Sequence, residues 1–218
     1  NRFSGRSVLC FDRDGDGDYG VFVANYGGPM KLFEANDEWR LTDTAPSLGM
    51  ALTTGGRSLV NLPAEDGRMR IFAGNENGPN FFFDGANPTY RNVADSVGIS
   101  DGRETVRGVA VLDANEDGQF DLVYGNWDGP HRLFLNRGER FEDVAPPAMV
   151  TPSRIRTVIA ADFDNDGYEE IFWNQIGEPN RLFKKVGDAW VAVDLGPALE
   201  PDGLGTGAAV ADLDGDGR

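Results

Sequence analysis

An all-β fold of repeated four-stranded antiparallel blades, a β-propeller, is what this 218-residue sequence predicts, on three observations. Glycine-proline turns recur as Tyr26-Gly27-Gly28-Pro29, Asn77-Gly78-Pro79, Asp128-Gly129-Pro130 and Gly177-Glu178-Pro179. Acidic loops that alternate Asp or Asn with other residues before a glycine open at Asp12, Asp113, Asp162 and Asp212, so the repeat is about 50 residues with one degenerate member between the first two. The runs between these markers are short, apolar and bounded by turn residues, with no helical period of useful length.

The third repeat shows each element in order. Arg107 to Leu112 is a mainly apolar run, suited to a strand buried on both faces. The acidic loop follows, then Phe120 to Gly125 as a second strand, the Gly129-Pro130 turn, and Arg132 to Leu135 as a third. Asn136 to Glu139 turns the chain, and Arg140 to Val144 is short and polar, as an outer edge strand should be. Asn25, Asn75, Asn126 and Asn174 precede the four glycine-proline turns, and aromatic-rich runs ending in Phe33, Phe83, Phe134 and Phe183 follow them. Blades are therefore expected at 5–45, 56–95, 107–145 and 156–195, with another opening at 205–218. That fifth opening favours a segment of a larger ring over a closed ring of four, and both ends read as cut.

The loops carry the chemistry. Asp162, Asp164, Asp166 and Glu170 stand at positions one, three, five and nine, with Gly167 at six; Asp113, Asn115, Asp117, Asp121 and Gly118 repeat the pattern. Asp12, Asp14 and Asp16 match it except at position nine, which is Gly20, where Asp18 or water would have to close the site. Asp212, Asp214 and Asp216 match it as far as the sequence runs. Alternating oxygen donors before a glycine turn suit a hard cation of six to eight ligands, Ca²⁺ above all, whereas Mg²⁺ demands a stricter octahedron. An EF-hand needs a glutamate at position twelve, where this chain has Val23, Tyr124 or Trp173. The second repeat reads Leu62 and Ala64 at the first two ligand positions and Arg70 at the ninth, so it is expected to be a bare turn. Asp, Asn and Gly favour turns without any metal, but this density of carboxylates in phase with a fold repeat repels itself unless a cation is present.

A net charge of −16 weighs against nucleic acid or an anionic membrane surface as partner, and four bound Ca²⁺ would halve it. Lys31, Lys184 and Lys185 are the only lysines among 20 basic residues. The single cysteine, Cys10, lies in the run Val8-Leu9-Cys10-Phe11, which reads as a buried core thiol and excludes an internal disulfide framework. No signal peptide and no run of 18 apolar residues is visible.

On these residues the chain resembles the FG-GAP/VCBS repeat family, whose best-known members are the integrin α-subunit propellers. The resemblance is carried by the apolar strand, loop and following strand of Val158 to Phe172, by Asp121 to Leu133, by Arg156 to Asp166, by Glu200-Pro201-Asp202-Gly203 with Gly205-Thr206-Gly207, and by Arg91 to Ala94 and Phe141 to Ala145. It implies a secreted Ca²⁺-binding propeller of about seven blades, of which this chain is an internal part. Its implied use is adhesion or matrix interaction with an extracellular protein or glycan.

Catalysis finds little support. His131 is the only histidine, beside a glycine-proline turn, and reads as a packing or surface residue rather than a base. No nucleophile elbow, Cys/His pair or phosphate-cradling loop with lysine is present. Trp127 reads as rim or core packing, with stacking on a sugar or protein partner as the alternative. The two rival readings are a lectin-like propeller and an enzyme whose active site lies outside this stretch.

Overall fold

The computed structural model describes residues 3–64, 66–85 and 89–212. Apart from short helical turns the chain is all-β, and it forms two compact units, one reaching to Val106 with Gly138–Phe141 added, the other holding Arg107–Arg137 and the chain from Glu142. Each has the same internal plan, an eight-stranded antiparallel sheet built from two four-stranded meanders.

In the first sheet the meanders are β1 (Ser4–Phe11), β2 (Gly20–Pro29), β3 (Lys31–Ala35) and β4 (Leu41–Asp43), then β5 (Thr53–Pro63), β6 (Met69–Asn75), β7 (Phe81–Asp84) and β8 (Arg91–Asn92). In the second they are β9 (Val106–Leu112), β10 (Asp121–Gly129), β11 (Arg132–Asn136) and β12 (Phe141–Asp143), then β13 (Ser153–Ala161), β14 (Glu170–Gln175), β15 (Arg181–Val186) and β16 (Ala189–Val193). The long second strand stitches each pair together: the end of β2 pairs with β5 through Tyr26↔Gly55 and Pro29↔Thr53, and the end of β10 pairs with β13 through Trp127↔Arg154 and Gly129↔Ser153.

Register explains the recurring phenylalanines. Val21↔Phe33, Ile71↔Phe83, Leu122↔Phe134 and Ile171↔Phe183 are the same cross-strand pair in each meander. One core gathers Phe11, Phe22, Leu32, Ile71 and Phe83, the other Leu112, Val123, Leu133, Ile155, Trp173 and Phe183, all buried. Each such side chain contributes roughly 1.5–3 kcal/mol by leaving water.

The glycine-proline turns are held by a side-chain clamp. Asn25, Asn75 and Asn126 donate through Nδ2 to the carbonyls of Pro29, Pro79 and Pro130 at 2.7, 2.7 and 2.5 Å. In the fourth turn Gln175, not Asn174, stands four residues before the proline and donates to the Pro179 carbonyl, so a glutamine replaces the asparagine at the equivalent position. Asn126 is fully buried, so Asn126→Ala strands the Pro130 carbonyl and should lower stability by about 1–3 kcal/mol in denaturant unfolding.

Two expectations need correction, and one feature leaves no trace in the sequence pattern. Four-residue helices follow three of the fourth strands, at α1 (Ala45–Leu48), α2 (Ala94–Val97) and α3 (Pro147–Val150); one turn is too short to leave a period in sequence. The second repeat's loop is one residue shorter than its neighbours: Leu62 pairs with Arg70, as Phe11 pairs with Gly20 and Ala161 with Glu170, so Leu62 lies within the strand rather than opening the loop. Cys10 is exposed. On β1 the residues that face the core are Leu9 and Phe11, while Val8 and Cys10 point to the opposite, open face.

Candidate metal loops

The loops between first and second strands share one scaffold. The position-one carboxylate accepts backbone amides from across the turn: Asp12 from Gly15 and Gly17 at 2.8 and 2.9 Å, Asp113 from Asp117 and Gly118 at 3.1 and 2.9 Å, Asp162 from Asp166 and Gly167 at 3.1 and 2.8 Å. These amides hold the exposed Asp12 carboxyl below the usual carboxylate range, the Gly17 bond most of all. The position-five acid then accepts the amide two residues on, from Asp18, Gln119 and Tyr168. Two left-handed residues make this curl, at positions four and six: Gly15 and Gly17, Glu116 and Gly118, Asn165 and Gly167. Glycine at six was legible in sequence; the positive φ of Glu116 (64°) and Asn165 (60°) was not.

The curl gathers oxygens. One ligand atom each from Asp12, Asp14 and Asp16 lies within 4.8 Å of the others, and the same holds for Asp162, Asp164 and Asp166. The third loop has two carboxylates on this turn, Asp113 and Asp117, and its Asn115 turns Nδ2 to donate to Asp117 Oδ2 at 2.9 Å, so the three-carboxylate cluster is found in the first and fourth loops. Such hard, closely spaced oxygens fit a calcium-sized cation.

Position nine behaves differently from the rest. Asp121 is buried, and its oxygens accept the amides of Ala114 at 2.9 Å and Asn136 at 2.7 Å. Burial pushes its carboxyl up to about 6 despite those bonds; a cation above the loop reverses that cost. Glu170 is likewise buried, with Oε2 2.8 Å from the Phe163 amide. Both acids therefore tie the loop to the strand. Glu169, which sequence reasoning passed over, accepts the Asp113 amide at 3.4 Å and links the third and fourth loops.

The residue after the third-strand phenylalanine was also missed, and it faces each loop. In the first repeat it is Glu34, whose Cγ lies 3.2 Å from where a Cβ on Gly20 would stand. The glycine at position nine thus makes room for a carboxylate delivered from β3. Glu34 Oε1 is held by Arg13 at 2.8 Å and Oε2 by Thr44 Oγ1 at 2.6 Å. In the fourth repeat the residue is Lys184, whose ammonium contacts Asp164, Asp166 at 2.6 Å and Glu170 at 3.4 Å. Those partners raise its pKa, and Lys184 in turn lowers that of Asp166. In the second repeat it is Asp84, bonded to Arg68, which also pairs with Asp66 at 2.6 Å. That guanidinium places a positive charge between the two carboxylates of this turn. The third repeat has Leu135 there, so nothing charged covers the Asp113 loop from this position. Asp212 is exposed; Asp214 and Asp216 lie outside the described residues.

His131 accepts the Asn126 amide on Nδ1 at 2.9 Å, the task of Asn80 and Asn180 in neighbouring repeats, and its Nε2 is 2.9 Å from Ser153 Oγ. It is wholly buried against Trp173, a structural residue.

Residues 113–173, which span both the third and fourth loops, match the FG-GAP-like repeat. The whole chain is 45% identical to cartilage acidic protein 1 of Xenopus tropicalis over 248 aligned residues, covering 38% of that protein. Cartilage acidic protein 1 of Mus musculus and of Homo sapiens are each 44% identical over 99% of the chain, which covers 38% and 37% of their lengths. Among solved structures, the crystal structure of BBS1N in complex with ARL6DN, soaked with lead, superposes with a TM-score of 0.53 over 82% of this chain and 55% of that one, at 10% identity. That likeness concerns the fold alone. Residues 113–173 thus match an FG-GAP-like repeat, and the chain as a whole is similar to cartilage acidic protein 1, of which it spans well under half the length.

Proposed function

We propose that the chain is part of a Ca²⁺-binding β-propeller, four four-stranded blades and the opening of a fifth in a ring of about seven, which acts outside the cell as a non-catalytic scaffold for a protein or glycan partner. The observation that carries this is the convergence of three aspartates within 4.8 Å in two loops that occupy the same place in the first and fourth meanders. Relatedness to cartilage acidic protein 1 supports the scaffold role. Burial of the only histidine in a turn speaks against its use as a general base. Exposed loops of this kind bind at about 10⁻⁴–10⁻³ M, which suits extracellular Ca²⁺ and would leave them empty in the cytosol.

Calorimetric titration tests it. Ca²⁺ should bind the chain and Mg²⁺ should not compete at equal concentration. Asp164→Ala/Asp166→Ala should lose one site, and Glu34→Gln should weaken the first loop by about tenfold, the scale of one lost charge-assisted contact. Moving the carboxylate back, as Gly20→Asp with Glu34→Ala, should restore it. Unchanged Ca²⁺ binding in all of these variants overturns the assignment.

A carbohydrate-binding reading rests on a groove of 410 Å³ beside the Asp113 loop, lined by Asn115, Arg137, Lys185, Asp188 and Trp190. Ca²⁺-dependent retention on a glycan array, lost in Trp190→Ala, would favour it.

A further inference from the structure

Every repeat places an arginine at the same point of its first strand: Arg6, Arg57, Arg107 and Arg156. In three of them the register shifts at that residue, between Gly5 and Ser7, Gly56 and Ser58, and Ile155 and Thr157. A bulge re-aims the side chain it carries. The two sheets then treat these arginines differently. In the first, Arg57 lies 3.8 Å from Glu76 and Arg6 stacks 5.1 Å from the Tyr26 ring centre. In the second, the guanidinium carbons of Arg107, Arg156 and Arg154 lie 5.1, 4.5 and 5.7 Å from the ring centre of Trp127.

Backbone pairing fixes the equivalences. Tyr26 pairs with Gly55 as Trp127 pairs with Arg154. The Glu76 amide bonds to the Gly55 carbonyl as the Ile176 amide bonds to that of Arg154. So where the first sheet has a glycine and a glutamate, the second has Arg154 and Ile176. An arginine has been added and the counter-ion removed. Asp128 answers Arg154 at 3.1 Å. Arg156 has no ion pair among the described residues, and its buried Nε has no hydrogen-bond partner. On a chain of net charge −16 this is a concentrated positive site around a half-exposed indole.

We propose that Arg154, Arg156 and Arg107 around Trp127 form a binding site for a single carboxylate, presented by an aspartate or glutamate side chain of a protein partner. A planar guanidinium with free N–H groups matches a carboxylate fork, and the indole walls the contact from water. A long polyanion such as a sulfated glycan is disfavoured because the surrounding surface repels it. The site goes beyond the scaffold reading and does not depend on the metal loops being filled.

Titrating the full chain with a capped glutamate (acetylated, with an amide at the α-carboxyl) tests this by NMR of the arginine Nε–Hε and tryptophan indole resonances. Shifts confined to Arg156, Arg154, Arg107 and Trp127 are expected, with a weaker response to inorganic sulfate. Arg156→Gln should weaken binding about tenfold. Ile176→Glu, which restores the internal counter-ion of the second repeat without touching any arginine, should abolish it. No shifts at millimolar capped glutamate, or full binding in Ile176→Glu, overturns the site. Tighter binding of a sulfated disaccharide than of capped glutamate overturns the carboxylate assignment.

Discussion

Removing Ca²⁺ with a chelator should lower the thermal midpoint of this chain by on the order of 10 °C. Each loop with a Kd of about 10⁻⁴ M in ~1 mM Ca²⁺ adds about 1.4 kcal/mol. The loops at Asp12, Asp113 and Asp162 together therefore add about 4 kcal/mol, and a protein of this size shifts by about 2–4 °C for each kcal/mol. The three should not contribute equally. Lys184 already sits among Asp164, Asp166 and Glu170, so Ca²⁺ must displace an ammonium there. Lys184→Met should raise the Ca²⁺ affinity of that loop and lower the midpoint in chelator, since the metal-free carboxylates then repel unopposed. The Asp113 loop faces Leu135, a buried core residue, so no charge from that position competes with or assists Ca²⁺ there. A melt in which Ca²⁺ and Mg²⁺ act alike, or neither acts, sinks the reading.

Much of this was legible in the residues because the loops and turns are local. An Asx-rich turn ending in glycine, or an asparagine four residues before a proline carbonyl, makes its bonds within its own segment, and sequence spacing states them directly. What escaped was cross-strand. Glu34 and Lys184 reach their loops from the third strand, 14 and 14 residues beyond Gly20 and Glu170, through a register that only pairing such as Val21↔Phe33 and Ile171↔Phe183 reveals. The exposure of Cys10 escaped for the same reason. Alternation tells which residues share a face, but Val8-Leu9-Cys10-Phe11 is apolar at every position and so does not say which face is covered. Gln175 shows the limit of matching by residue type: it keeps the spacing of four to the proline, and the adjacent Asn174 only looks like the repeat's asparagine.

Acid should destabilise the second unit steeply between pH 6.5 and 3, and one substitution should remove much of the slope. His131 is buried, and burial, with Arg181 and Arg132 adding, pushes its pKa down from 6.5 to about 3. Its Nδ1 accepts the Asn126 amide at 2.9 Å, so the native state needs that nitrogen unprotonated, with the proton on Nε2 toward Ser153. Below pH 6.5 the unfolded chain takes up a proton that the folded chain refuses. Stability then falls by up to about 1.4 kcal/mol for each pH unit, until the folded histidine also protonates near pH 3. Above pH 6.5 both states are neutral and the residue contributes no slope. Asn80 and Asn180 perform the same task in their own turns, accepting the amides of Asn75 and Gln175 at 3.0 and 2.9 Å. His131→Asn therefore keeps the acceptor and discards the titration. Denaturant unfolding at pH 7, 5.5 and 4, in chelator so that the loops do not add their own proton linkage through bound metal, should show the two proteins diverging as pH falls, with the variant the more stable at pH 4. The variant loses ring packing against Trp173, which lies 4.7 Å away between ring centres, so it should start lower at pH 7 and cross the parent on the way down. Parallel lines with no crossing would mean that His131 protonates in the folded state near its ordinary pKa, and that its burial against Trp173 is not maintained in solution.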